Sequence, residues 1–135
     1  MDRRQELCRE AQQIANNAYA PYSKFRVGAA VLGKEKIYLG TNVENASYGL
    51  SLCAERSALA IAIANGETEI QAIAIACIDA KDPDNLRLLT PCGACRQWMA
   101  ELASKAKIFI CQADRDCHTF SLEDLLPNAF ELGED

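Results

Sequence analysis

Ile70-Gln71-Ala72-Ile73-Ala74-Ile75-Ala76-Cys77-Ile78 is a continuous apolar run of strand length, broken only by Gln71. A strand of that kind is covered on both faces, so it belongs in the middle of a sheet between helical layers. Both flanks supply a helix. Upstream, Cys53 opens one whose apolar residues Leu59, Ile61 and Ile63 run to the stop signal Asn65-Gly66. Downstream, residues 79–89 are charged, carry Pro83 and read as an exposed loop. A second helix starts after Pro91 and runs to about Ser104, with Trp98, Met99 and Leu102 expected to face inward, and residues 107–112 form the next strand.

The outer parts complete the pattern. Leu7, Cys8, Ala11, Ile14, Ala15 and Ala18 recur at helical intervals over residues 2–19, and Pro21 ends that helix. Residues 20–23 form a turn. Residues 25–32 read as a strand with small residues at Gly28, Ala29 and Ala30, where something approaches closely. Residues 33–36 turn the chain into a returning strand over 37–43, which delivers Asn42, Glu44 and Asn45 to its far end, and residues 45–52 form a loop. After a turn over 113–117, residues 118–120 add a short strand and Ser121 caps a short helix. The expected fold class is α/β: a mixed, roughly five-stranded sheet with helices on both faces, in one domain spanning residues 1–135.

Both helices beside the central strand begin with cysteine: Cys53-Ala54-Glu55-Arg56 in one, Pro91-Cys92-Gly93-Ala94-Cys95-Arg96 in the other. Three thiolates stop one short of a closed zinc site and leave a position for water, which is the arrangement of a catalytic metal. Side chains lean toward the helix N-terminus, so Cys53 and Glu55 in one opening turn can reach the same point ahead of the axis. Cys92 and Cys95, three apart, share a helical face. Glu55 is then the proton carrier beside a zinc-activated water, and hydrolytic removal of an amino group from a ring carbon is the expected reaction. Three thiolates leave the metal centre formally negative. Arg56, three residues after Cys53, is the expected donor to a ligand sulfur, with Arg96 the weaker choice.

At these residues the chain resembles the small, homotetrameric, all-cysteine cytidine deaminases over nearly its full length. The shared parts are residues 18–25 with Val27-Gly28-Ala29-Ala30, then Asn42-Val43-Glu44-Asn45-Ala46, the two cysteine stretches, and Leu125-Leu126-Pro127 with Phe130. The resemblance implies a three-layer α/β/α sandwich, one zinc ion per subunit held by Cys53, Cys92 and Cys95, and deamination of cytidine and 2′-deoxycytidine with Glu55 catalytic. It implies that Phe25 packs on the pyrimidine, that Asn42 and Glu44 bond the ribose hydroxyls, and that the Ala54 backbone with Glu55 reads the base edge. It also implies a homotetramer with shared sites, in which Ala46, Tyr48 and Phe130 close a neighbour's pocket. The loop over residues 79–89 is longer than the family pattern, and its relation to the site is open.

Composition narrows the rivals. The net charge of -5 over 135 residues disfavours long polyanions, and so nucleic-acid editing, and favours a small substrate, which the resemblance implies is a nucleoside. Another aminopyrimidine nucleoside such as blasticidin S is the nearest enzymatic alternative. A non-catalytic zinc module, a Cys92/Cys95 redox dithiol, and a closed Cys₃His site using His118 are the others. No apolar segment follows the mixed-charge N-terminus and no run approaches bilayer length, so a soluble, cytoplasmic protein without membrane contact is expected. Seven cysteines is an odd number. Beyond the three ligands, Cys8, Cys77, Cys111 and Cys117 are expected to be reduced, small hydrophobes.

Overall fold

The computed structural model describes residues 2–112 and 117–133. The sheet has five strands: β1 (Val27–Leu32), β2 (Ile37–Thr41), β3 (Ala72–Cys77), β4 (Lys107–Cys111) and β5 (His118–Phe120), in the order β2-β1-β3-β4-β5. β3 lies at the centre, as its unbroken apolar run requires. It pairs antiparallel with β1 and parallel with β4, and the other pairings are antiparallel.

Alternation along the strands divides the core into two layers. Ala30, Leu32, Ala72, Ala74, Ala76, Phe109 and Cys111 face α1 (Arg3–Ile14), which contributes Leu7 and Ala11. Ala29, Val31, Ile73, Ile75, Ile108 and Ile110 face α2 (Ala54–Ala64) and α3 (Gly93–Leu102), with Leu122 and Leu125 of the short α4 (Leu122–Leu125). This is a three-layer α/β/α arrangement. The alanine ladder Ala54, Ala58, Ala62 lets α2 lie close on the sheet, and a side chain at Gly40 would bring its Cβ within 2.4 Å of Ala58 N. Gly28 makes the same concession to α1 on the other face, its added Cβ falling 2.0 Å from Ala11 O.

Element ends differ from the sequence reading by a few residues. The first helix ends at Ile14 and gives way to a 3-10 turn over Ala15–Asn17, well short of residue 19. β1 begins at Val27 rather than at residue 25. β2 ends at Thr41, and Val43 makes only isolated bridges, to Tyr19 and Leu52. Trp98, expected to face inward, is 39% exposed, while Met99 is fully buried: the inward stripe runs from Cys95 to Met99, and Trp98 lies beside it. Ile61 and Ile63 likewise fall outside the Ala54-Ala58-Ala62 stripe and reach solvent. The loop over 79–89 is not wholly exposed. It contains a 3-10 turn at Leu86–Leu88 and buries Leu89.

Cys8 and Cys111 overturn the expectation of reduced thiols. They form a disulfide between α1 and the end of β4, with a Cα–Cα separation of 5.5 Å. Their partnership was invisible in the sequence because the two residues lie 103 positions apart. Of the turn expected over 113–117, all but Cys117 lies outside the described residues. Among the described residues no helix is long and apolar enough to cross a membrane.

Candidate active site

The metal-binding trio assembles because two helices start at the same edge of the sheet. Cys53 is the N-cap of α2, Cys92 is the N-cap of α3, and Cys95 lies in the first turn of α3. Neither N-cap cysteine makes a side-chain capping bond, so both sulfurs remain directed at a common point. Cys53 Sγ lies 3.8 Å from Cys92 Sγ, Cys92 Sγ lies 3.5 Å from Cys95 Sγ, and all three fall within 4.8 Å of one another. A tetrahedral zinc with Zn–S bonds of about 2.3 Å needs sulfurs about 3.8 Å apart, so the three thiols fit the ion. His118 stands apart on β5, and the ligand group does not include it. With Cys53 brought to Cys92 and Cys95, a two-cysteine redox pair does not describe the cluster either.

Charge around the trio favours thiolate at Cys53. Its pKa is lowered to about 5, first by a hydrogen bond from the Cys95 thiol and then by Arg56, whose Nη2 donates at 3.5 Å. Cys95 is pushed the opposite way, chiefly because it is the donor to Cys53 and is buried. Arg56 therefore occupies the place expected of a donor to a ligand sulfur. Its Nε is buried without a partner. Arg96 turns away from the sulfurs altogether and takes other acceptors.

Glu55 follows the Cys53 cap and is only 5% exposed. Burial, and secondarily the Cys53 thiolate, raise its carboxyl to about 7. An acid with that pKa can both take and give a proton at neutral pH.

A cleft of about 220 Å³ opens over this corner, lined by Phe25, Asn42, Glu44, Cys53, Ala54 and Glu55 among others. All the own-subunit substrate residues expected from the sequence thus line this one cleft. Phe25 is clamped on both sides: Asn42 Nδ2 donates to its carbonyl at 2.9 Å, and the next residue, Arg26, is tied to Asp79 by a two-pronged ion pair at 2.9 Å. Asn42 Oδ1 also accepts from Val27 N at 2.8 Å, so this amide organises the strand entrance as well as facing the cleft. Glu44 accepts from Tyr22 N, Ser23 N and the Ser23 hydroxyl, which hold its carboxyl below the usual range. Each side chain retains some hydrogen-bonding capacity for a ligand. Ala46, Tyr48 and Phe130 do not line the cleft. They are exposed, Tyr48 at 75% and Phe130 at 71%.

Eight lining residues escaped the sequence reading of the site: Val27, Ser51, Leu52, Ile75, Cys77, Leu88, Leu89 and Thr90. Cys77 ends β3, and burial pushes its thiol up to about 12, so it serves as an apolar wall. Leu88, Leu89 and Thr90 belong to the long loop and the link to α3, so that loop does reach the site. A hydrophobic pair followed by Thr-Pro-Cys was the available signal.

Residues 1–111 match the family profile for the cytidine and deoxycytidylate deaminase zinc-binding region. A cytidine deaminase of Halalkalibacterium halodurans is 45% identical over 129 residues, 94% of this chain and 93% of its own. The crystal structure of cytidine deaminase from Burkholderia pseudomallei superposes with a TM-score of 0.85 at 42% identity, covering 96% of this chain and all of that one. That of Mycobacterium tuberculosis cytidine deaminase gives 0.78 at 36%, covering 98% and 100%.

Proposed function

Because the chain belongs to the cytidine and deoxycytidylate deaminase family, we propose that it is a zinc-dependent hydrolase converting cytidine and 2′-deoxycytidine to uridine and 2′-deoxyuridine. The observation that carries this is the convergence of three thiols at two helix N-termini, with one of them, Cys53, and the buried carboxyl of Glu55 lining the cleft. Zinc held by Cys53, Cys92 and Cys95 supplies a Lewis acid able to bring the pKa of water from 15.7 to about 7.

Glu55 handles the protons. Its carboxylate removes one from the attacking water and passes it to the ring nitrogen adjoining the amino-bearing carbon. The remaining proton of that water, now on the hydroxyl of the attacked carbon, is carried by Glu55 to the amine, which leaves as ammonia while the carbon keeps the oxygen as a carbonyl. Phe25 offers a face for the pyrimidine, and Ala54, at the start of α2, offers a backbone edge to the base. Asn42 and Glu44 stand where a ribose would follow. Arg56 offsets part of the negative charge of the thiolates by donating to Cys53.

A homotetramer with shared sites is part of the proposal. It is supported by the exposure of Ala46, Tyr48 and Phe130, none of which lines its own cleft, although Tyr48 borders it beside Glu44 and Ser51, and by the exposed Trp98, Ile61 and Ile63. We also propose that residues 1–135 act as one catalytic domain, built on a single sheet. The proposed compartment is the cytoplasm, where the ligand thiols stay reduced and able to hold metal. The Cys8–Cys111 bond pulls the other way.

Metal analysis and a cytidine assay on one purified sample test the reading. The expected result is one zinc per chain and a fall in absorbance as cytidine is consumed. A folded, zinc-loaded sample that leaves cytidine unchanged refutes the activity.

A further inference from the structure

Arg96 adjoins the ligand Cys95, but its guanidinium is committed elsewhere. Nε donates to the carbonyl of Pro91 at 2.7 Å, Nη2 to the Thr90 hydroxyl at 3.2 Å, and Nη1 to the carbonyl of Leu125 at 2.6 Å. Pro91 and Thr90 immediately precede the ligand Cys92, which is itself exposed and makes no side-chain capping bond. Leu125 ends α4, where a carbonyl lacks an intrahelical partner and needs an outside donor. The next residue along α3 repeats the connection: Gln97 Nε2 donates to the carbonyl of Phe130 at 3.0 Å.

We infer that Arg96 is a positioning residue for the zinc loop, and that through it each subunit's Cys92 loop and the tail presenting Phe130 are held as one body. The inference rests on the proposed function, which supplies both the metal and the neighbour's pocket that Phe130 enters. The three acceptors come from two separate stretches of chain, Thr90-Pro91 and the end of α4, and a planar guanidinium with diverging N–H groups reaches all of them at once. A lysine ammonium at the same place is a single point of charge and cannot span them. The role is therefore geometric. Loss of the fork leaves the Thr90-Pro91 segment to wander and lets Cys92 open from the metal.

Arg96→Lys separates geometry from charge. On zinc-loaded full-length protein we expect zinc to pass to a chromophoric chelator about 10-fold faster or more than from the parent, since partners that orient ligands carry 10- to 100-fold in metal affinity. Amide exchange should quicken over residues 122–132 while β3 keeps the parent's protection, and kcat should fall more than KM rises. Zinc release within two-fold of the parent overturns the positioning role. Parental exchange over 122–132 overturns the coupling to the tail, and exchange raised equally everywhere reduces Arg96 to a general stabiliser and overturns both. If Arg96→Lys does not fold, Thr90→Val decides, as it removes only the Nη2 bond: several-fold faster release supports the inference and a parental rate overturns it. A parent that holds zinc yet spares cytidine defeats the proposed function alone, because the release comparison still judges Arg96.

Discussion

The Cys8–Cys111 bond offers the sharpest test, because its effect follows from chain connectivity alone. Cys8→Ala removes the link between α1 and β4 while leaving a small apolar side chain against the α1-facing core layer. A cross-link spanning 103 residues confines the unfolded chain strongly. The loop-closure estimate for a loop of about 100 residues is about 4.7 kcal/mol at 25 °C. With an unfolding entropy of about 2.1 cal/mol/K per residue over 135 residues, that corresponds to a melting-temperature loss of about 17 °C. This is an upper figure, because a compact unfolded ensemble has less freedom to lose. Calorimetry of parent and variant at equal protein concentration, with and without a mild reductant, checks it. The parent should lose stability on reduction and the variant should not. A thiol titration in denaturant should find two fewer thiols in the parent than its seven cysteines supply. Seven titratable thiols, or a variant melting within 2 °C of an unreduced parent, would refute the reasoning and with it the tie between α1 and β4.

Glu55→Gln keeps the volume and removes the proton carrier, so zinc content should stay at the parent's level while kcat falls by about 10² to 10⁴; unchanged turnover removes Glu55 from the mechanism. Arg56→Gln takes away the donor to Cys53 Sγ, and lower activity or faster zinc loss is expected, with parental values of both defeating the charge-offset argument. Asp79→Asn tests the clamp beside Phe25. The Arg26 guanidinium lowers the Asp79 carboxyl to about 2 from its ordinary 3.8. The native state therefore binds this proton later than the unfolded chain, and the stabilisation is complete above about 4 and lost as pH falls toward 2. Denaturation midpoints of parent and variant should differ at pH 7 and converge near pH 2; a constant gap removes the linkage. Gly40→Ala places a Cβ 2.4 Å from Ala58 N, so a loss of about 1 to 3 kcal/mol is expected in denaturant unfolding, with lowered kcat because the Ala54 end of α2 is displaced.

Local chemistry carried most of this protein in its sequence. The run around Ile73 and Ile75 identified the central strand because only a doubly covered strand is apolar at every step. The cysteine trio and Glu55 were legible because first-turn geometry depends on spacing of two or three residues, and both helices begin where the sequence marks them. What the sequence left open depends on which distant surfaces meet. The inward or outward facing of Trp98, Ile61 and Ile63 follows from how α2 and α3 rotate against the sheet, and apolar character alone does not set that rotation. The Cys8–Cys111 pairing, the Arg96 fork and the arrival of Leu88 and Leu89 at the cleft join stretches with no shared local pattern. Periodicity and capping act over one or two turns of chain, so they specify elements. Only packing the layers together decides which side chains become neighbours.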